Sequence, residues 1–270
     1  MFQFNDIEFR YDPYPIGFMR NCLPDAFYSK LTESFPALEN LRRAANMGEG
    51  KYLLTEFDTP SYFNVLNAAP AWRQLYDYIK SRDFVEQTLA MLLKANIDQG
   101  LSELDIVTTN HYDSSVKKCG EKVVRKFKQL PMPGNRFSTE GHLTSRFEFS
   151  ALQGQVASHL PHTDAPRKVI SMVISMMKEG EWNPDWGGGT AVCKPKDMRR
   201  SFNYMNRYLE FDDVDVLDTY PFIPNGCVVF VKTFNSWHTV MPYTAPLSIV
   251  RKSIVINIDC PQALGAQQRG

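Results

Sequence analysis

The chain carries no net charge: 30 Lys and Arg stand against 30 Asp and Glu. That balance excludes a general pull toward nucleic acid or an anionic membrane surface. Cysteine is scarce, with five in 270 residues (22, 119, 193, 227 and 260). The odd number and the lack of a Cys-x-x-Cys pair argue against a disulfide framework and for free thiols in a reducing compartment. Long apolar runs are missing too. The longest, Val169 to Met177, is broken by Ser171 and Ser175 and is too short to span a bilayer. The opening Met1-Phe2-Gln3-Phe4-Asn5-Asp6 has an early acid and no apolar stretch, so no signal peptide is expected. Gly187-Gly188-Gly189 lacks the Lys-Ser/Thr of a phosphate loop and reads as a bulge or close-approach turn. No internal repeat and no second domain boundary is visible. The expectation is a cytoplasmic protein with one domain over residues 1–270.

What is there is mostly β-pattern. Residues 2–20 alternate apolar and polar and read as one or two short strands. Pro24 suits the first position of a helix, with Asp25 at its positive end and Phe27 and Leu31 on one face; Pro36 stops it. Residues 37–68 are poorly patterned and read as irregular. Two helices follow, one with the stripe Trp72, Leu75, Tyr76 and Ile79, the other with Val85, Leu89, Leu92 and Leu93 and a cap at Ser81 or Asp83. Residues 104–109 read as a strand. The polar connection 113–140 carries seven basic residues against one acid between positions 117 and 136. It reads either as a solvated loop or as a lid for an anionic substrate.

From residue 143 strands dominate, at Arg146 to Leu152, Lys168 to Met177, Gly187 to Cys193, Cys227 to Val231 and Val250 to Ile258. Between them, 195–209 reads as a short helical or irregular insert, Glu210 to Asp218 as an acidic connection, and Pro224-Asn225-Gly226 as a turn. Many short strands broken by turn residues predict a mainly β protein with bracing helices. The core, about 101–260, is expected to be a jelly roll, the cupin-like double-stranded β-helix, with N-terminal strands and helices over 1–100.

The chemistry concentrates in Leu160-Pro161-His162-Thr163-Asp164-Ala165-Pro166 and, far downstream, Ser236-Trp237-His238. On a strand, positions i and i+2 face the same way, so His162 and Asp164 can reach one ion, and His238 can complete the set. Two imidazoles and a carboxylate on one face of an octahedral metal leave positions open and suit non-haem Fe(II). Thirteen residues after His238, Arg251 begins a row (251, 253, 255, 257) on one face of the last strand. A guanidinium grips a carboxylate bidentately, and Ser253 on the same side can donate a further hydrogen bond. Lys252 points the other way. His111-Tyr112-Asp113 is a second His-x-Asp, less well spaced from a third ligand. His159 either orients His162 or is a loop residue; Trp237 either walls the pocket or packs in the core. Arg146 and Glu148 either face substrate or form a structural pair.

The order His-x-Asp, distant His, then Arg resembles the Fe(II)/2-oxoglutarate-dependent dioxygenases, most of all their prolyl-hydroxylase-like branch. The segment Asn21-Cys22-Leu23-Pro24-Asp25, its helix and Phe35-Pro36 are similar to the entry of that branch. The resemblance implies His162, Asp164 and His238 as iron ligands. It implies Arg251 and Ser253 as the seat of the distal carboxylate of 2-oxoglutarate, and O2 as co-substrate. A carboxylate at 164, where related halogenases carry a small residue, implies hydroxylation, with succinate and CO2 released. The substrate classes it allows include small molecules, saccharides and amino-acid-type compounds. Two other readings stay open on the residues alone: a metal-dependent cupin-type isomerase or hydrolase, and a non-catalytic jelly-roll binding module.

Overall fold

The computed structural model describes residues 1–58, 60–98, 105–106, 142–154 and 157–260. The expectations for the connection 113–140, for His111-Tyr112-Asp113 and for most of the strand at 104–109 lie outside them.

In chain order the elements are β1 (Glu8–Arg10), β2 (Ile16–Met19), α1 (Asp25–Glu33), β3 (Arg42–Arg43), β4 (Lys51–Leu54), α2 (Ser61–Ala68), α3 (Pro70–Ile79) and α4 (Arg82–Lys94). There follow β5 (Asp105–Ile106), β6 (His142–Gln153), β7 (His159–His162), β8 (Lys168–Ser175) and β9 (Thr190–Pro195). The last are β10 (Val214–Tyr220), β11 (Cys227–Val231), β12 (His238–Val240) and β13 (Val250–Asp259). The larger sheet runs β1-β2-β11-β8-β13-β6-β4-β3, with β5 beside β6; the smaller runs β10-β9-β12-β7. This is the double-stranded β-helix expected.

The two faces of the larger sheet differ in kind, because successive side chains alternate across a strand. Phe147 and Phe149 on β6 and Ile254, Ile256 and Ile258 on β13 are buried among the helices. α3 supplies the opposing stripe: Trp72, Leu75, Tyr76 and Ile79 are all buried, and the Trp72 ring meets Phe149 edge-on at 4.7 Å. Of the two caps offered by the sequence, Ser81 and Asp83, it is Ser81 that caps α4, by accepting from Phe84 N. The opposite face turns Arg146, Glu148 and Ser150 from β6 and Arg251, Ser253 and Asn257 from β13 toward the smaller sheet. A strand covered on both sides is ordinarily apolar throughout; here one side is polar, and that side bounds a cavity.

Three readings need correction. Residues 37–68 are not irregular: they contain β3, β4 and α2. β4 is only four residues long and adds to the edge of β6, so its pattern is too short to register. Glu210 to Asp218 is mostly strand β10, paired with β9. Its central residues are exposed or half-buried, so no apolar alternation betrays it. Pro24 stands just outside α1, in an extended conformation (ψ 134°).

Since the helical stripe is the main apolar support of the larger sheet, Trp72→Ala is expected to lower stability by about 3–5 kcal/mol. Phe202→Ala, at a side chain 78% exposed, should change it by less than about 0.5 kcal/mol. Urea unfolding of the two variants checks the contrast.

Candidate metal and co-substrate site

β7 and β12 are antiparallel neighbours, and His162 lies directly opposite His238. Their rings sit 4.4 Å apart. Each ring nitrogen Nδ1 lies 2.8 Å from a backbone carbonyl two residues earlier, Leu160 O for His162 and Ser236 O for His238. A carbonyl only accepts, so Nδ1 carries the proton and donates, which leaves the Nε2 lone pair free. Both Nε2 atoms face Asp164: His162 Nε2 is 3.7 Å from Oδ1 and His238 Nε2 is 3.8 Å from Oδ2. One ligand atom from each of the three residues lies within 4.8 Å of the others, and all three residues are buried.

The residues meet as expected, but not for the reason expected. β7 ends at His162, and Asp164 lies beyond it with φ 70°. Its side chain is therefore aimed by a left-handed turn, a conformation Asp tolerates better than most residues, and not by strand alternation. Lys168 Nζ donates to Asp164 Oδ1 at 2.5 Å, and Ser171 Oγ donates to Oδ2 at 2.8 Å. The same hydroxyl lies 2.9 Å from Asn257 Oδ1, so two acceptors share its one proton. Burial pushes the Asp164 carboxyl up, but Lys168 and the two imidazoles outweigh it and hold the group well below the usual carboxylate range. Burial, reinforced by His162, lowers His238 to about 3. At neutral pH the trio is thus one carboxylate with a neutral His238 beside it, the state a metal requires of its ligands. Phe230 stacks on the back of His238 at 4.1 Å.

Arg251 and Ser253 line the same cavity, which measures about 500 Å³. Arg251 is only 2% exposed. Its Nε donates to Gly188 O at 2.8 Å, and its guanidinium lies 3.7 Å above the Phe222 ring. Its Nη2 is buried with no partner among the described residues, so the fork is held in place with one arm uncommitted. Burial lowers the guanidinium to about 10. Gly188 has φ 72°, and a Cβ there would sit 2.7 Å from the Trp182 ring, so glycine is what lets this carbonyl reach Arg251. Ser253 Oγ has a long contact, 3.4 Å, with Ser150 O. Lys252 faces away, to Glu181.

The remaining candidates separate cleanly. Trp237 is core: it is buried and donates to Ser201 O. The His159 ring lies 4.2 Å from His162, and burial and that neighbour hold it well below the ordinary imidazole range. Arg146 and Glu148 line the cavity and are also a pair, at 3.1 Å, with Arg146 bonded to Asp259 at 2.9 Å. Sequence reading missed Lys51, Lys168, Ser171 and Tyr208. Lys168 could have been sought four residues after Asp164, but Lys51 carried no signal. Lys51 is 5% exposed, and its Nζ donates to Ser150 Oγ at 2.7 Å. Burial, then the nearby Arg251, lower its ammonium to about 8.

A buried ammonium without a carboxylate costs stability. Between pH 8 and the ordinary lysine value the unfolded chain holds a proton that the folded chain has lost, so raising the pH through that window relieves the cost. Lys51→Met is therefore expected to stabilise the metal-free protein at pH 7 by about 1–3 kcal/mol. The gain should shrink by pH 10, as urea unfolding at the two pH values will report.

No family model matches the chain, and no curated protein matches it. Among solved structures it is similar to prolyl 4-hydroxylases from Phytophthora capsici, at 12% identity and a TM-score of 0.51, over 94% of this chain and 62% of that one. A prolyl-4-hydroxylase of Pseudomonas putida overlaps at 13% identity and 0.45, over 90% and 91% of the two chains. A Trichoplax adhaerens prolyl hydroxylase in complex with a peptide fragment overlaps at 10% and 0.45, over 93% and 86%. The likeness to the Phytophthora capsici structure is one of fold.

Proposed function

We propose that the chain is an Fe(II)- and 2-oxoglutarate-dependent oxygenase that hydroxylates an unactivated carbon of a small molecule, with release of succinate and CO2. His162, Asp164 and His238 would hold the iron, and Arg251 and Ser253 would hold the far carboxylate of 2-oxoglutarate. The observation that carries this reading is a coincidence of two features in one cavity. A two-His, one-carboxylate trio faces it, and so does a buried guanidinium with an uncommitted nitrogen.

The residues fit the two groups. Three ligands grouped on one side leave further positions to oxygen donors, the pattern suited to non-haem Fe(II). The orphaned Nη2 of Arg251 is a donor awaiting an acceptor, and a carboxylate supplies one. Iron and 2-oxoglutarate bound there would supply dioxygen activation coupled to oxidative decarboxylation of the co-substrate. The chain's own part is positioning and shielding. Lys168 and Ser171 grip the two oxygens of Asp164 and fix its plane. Phe230 and the Ser236 carbonyl hold His238. Gly188 and Phe222 fix the guanidinium of Arg251. Val173 and Val255 line the cavity with hydrocarbon, which limits water near the reacting centre.

The test is anaerobic titration of the protein with Fe(II) and 2-oxoglutarate, following the weak visible charge-transfer band of the chelate. The band should form with wild type and be lost in His162→Ala. Arg251→Met should weaken 2-oxoglutarate binding by about 2–5 kcal/mol, as expected for truncating one partner of a buried charge pair. Equal affinity in wild type and Arg251→Met would move the anchor elsewhere. No band with folded protein and ferrous iron would sink the oxygenase reading.

A further inference from the structure

The charge of the cavity exceeds what iron and co-substrate can use. Five cations stand in or directly against it: Lys51, Arg146, Arg167, Lys168 and Arg251. Three carboxylates face them: Glu148 and Asp164 in the wall, and Asp259 behind Arg146 and Arg167. Arg42, on the rim, is matched by Asp58 at 3.2 Å. The wall thus has two more positive charges than negative ones. Ferrous iron and the dianion 2-oxoglutarate add charges that cancel, so loading the site leaves the excess in place.

The excess can be traced to two side chains, Arg251 and Lys51. Lys168 is matched by Asp164 at 2.5 Å, Arg146 by Asp259 at 2.9 Å and Glu148 at 3.1 Å, and Arg167 approaches Asp259 at 3.5 Å. Arg251 is assigned above to the co-substrate. Among the described residues Lys51 has the Ser150 hydroxyl as its hydrogen-bond partner, and no carboxylate lies within 4.0 Å of its ammonium. Lys51 and Arg251 are register partners of the same residue, Leu152, from opposite sides. Two strand spacings, roughly 10 Å, therefore separate their backbones, and they serve two points in the cavity. Ser150 accepts from Lys51, which leaves its own proton to give. An ammonium and a hydroxyl side by side, both buried, match the two oxygens of a carboxylate. At about 500 Å³ the cavity is within the range that takes a drug-sized ligand, so it holds more than a five-carbon diacid.

We propose that Lys51 and Ser150 bind a carboxylate of the prime substrate, so that the substrate class is small organic acids. This rests on the oxygenase reading above. A buried ammonium that no carboxylate among the described residues contacts is a seat for a carboxylate brought by a ligand.

The test uses anaerobic protein loaded with Fe(II) and saturating 2-oxoglutarate. The probes are matched acids and amides: lactate and lactamide, N-acetylglycine and its amide, N-acetylproline and its amide. The readouts are the midpoint of thermal unfolding and the visible band. The acids are expected to raise the midpoint and perturb the band where the amides do not. Lys51→Met should weaken the acids at least about 30-fold and leave 2-oxoglutarate affinity unchanged, while Lys51→Arg restores part of the preference. If Lys51→Met does not fold, Ser150→Ala carries the same comparison. Acids binding no better than amides would overturn the assignment. So would a Lys51→Met variant that loses 2-oxoglutarate as severely as Arg251→Met, since Lys51 would then belong to the co-substrate. A missing band in loaded wild type sinks the oxygenase reading and this inference with it. A band that forms while acids and amides bind alike sinks only the inference.

Discussion

On β6 and β13 every second side chain points into a gap between two sheets, and most of those side chains are polar. The rest of the structure follows from this constraint. Polar groups taken out of water must find partners, and most here do so in two connected sets. One joins Arg146, Glu148, Asp259 and Arg167; the other joins Asp164, Lys168, Ser171 and Asn257. Neither set is a source of much net stability, because desolvation consumes most of what the pairing returns. Stability has to come from the opposite face, where aromatic and branched side chains of β6 and β13 close against α3. The sheet divides the molecule into a side that holds it together and a side that is free to be chemical.

On the chemical side, the groups without internal partners mark what the cavity is for. The Nη2 of Arg251 is orphaned among the described residues, and Lys51 rests on a lone hydroxyl. Both are depressed in basicity by burial, the mark of cations held in a poor solvent for charge. A fold selected for stability alone would place methyls there. Their presence on the two strands that flank β6 in one wall argues that anions arrive from outside.

Much of this was legible in the sequence. His162, His238 and Arg251 stood out because strand-like flanks and order along the chain survive without coordinates. Asp164 was found for an imperfect reason: strand alternation was invoked, whereas the strand has ended and a left-handed residue does the aiming. Local patterns do not distinguish the two, since both leave His and Asp two apart. Lys51 was invisible because its strand is four residues long and draws its identity from pairing with β6, nearly a hundred positions later. β10 was taken for an acidic connection because its middle residues face outward and carry no apolar alternation. Periodicity reports burial, and elements at an edge have little of it.

The Nδ1–H groups of the two imidazoles are fixed by the peptide carbonyls of Leu160 and Ser236. Many metal-binding histidines are steered by a carboxylate that can itself be mutated away. Here the steering is written into the main chain, which every residue type supplies alike. Sequence drift around the trio can therefore be wide without turning either ring. Distant homologues need share little besides the ligands themselves.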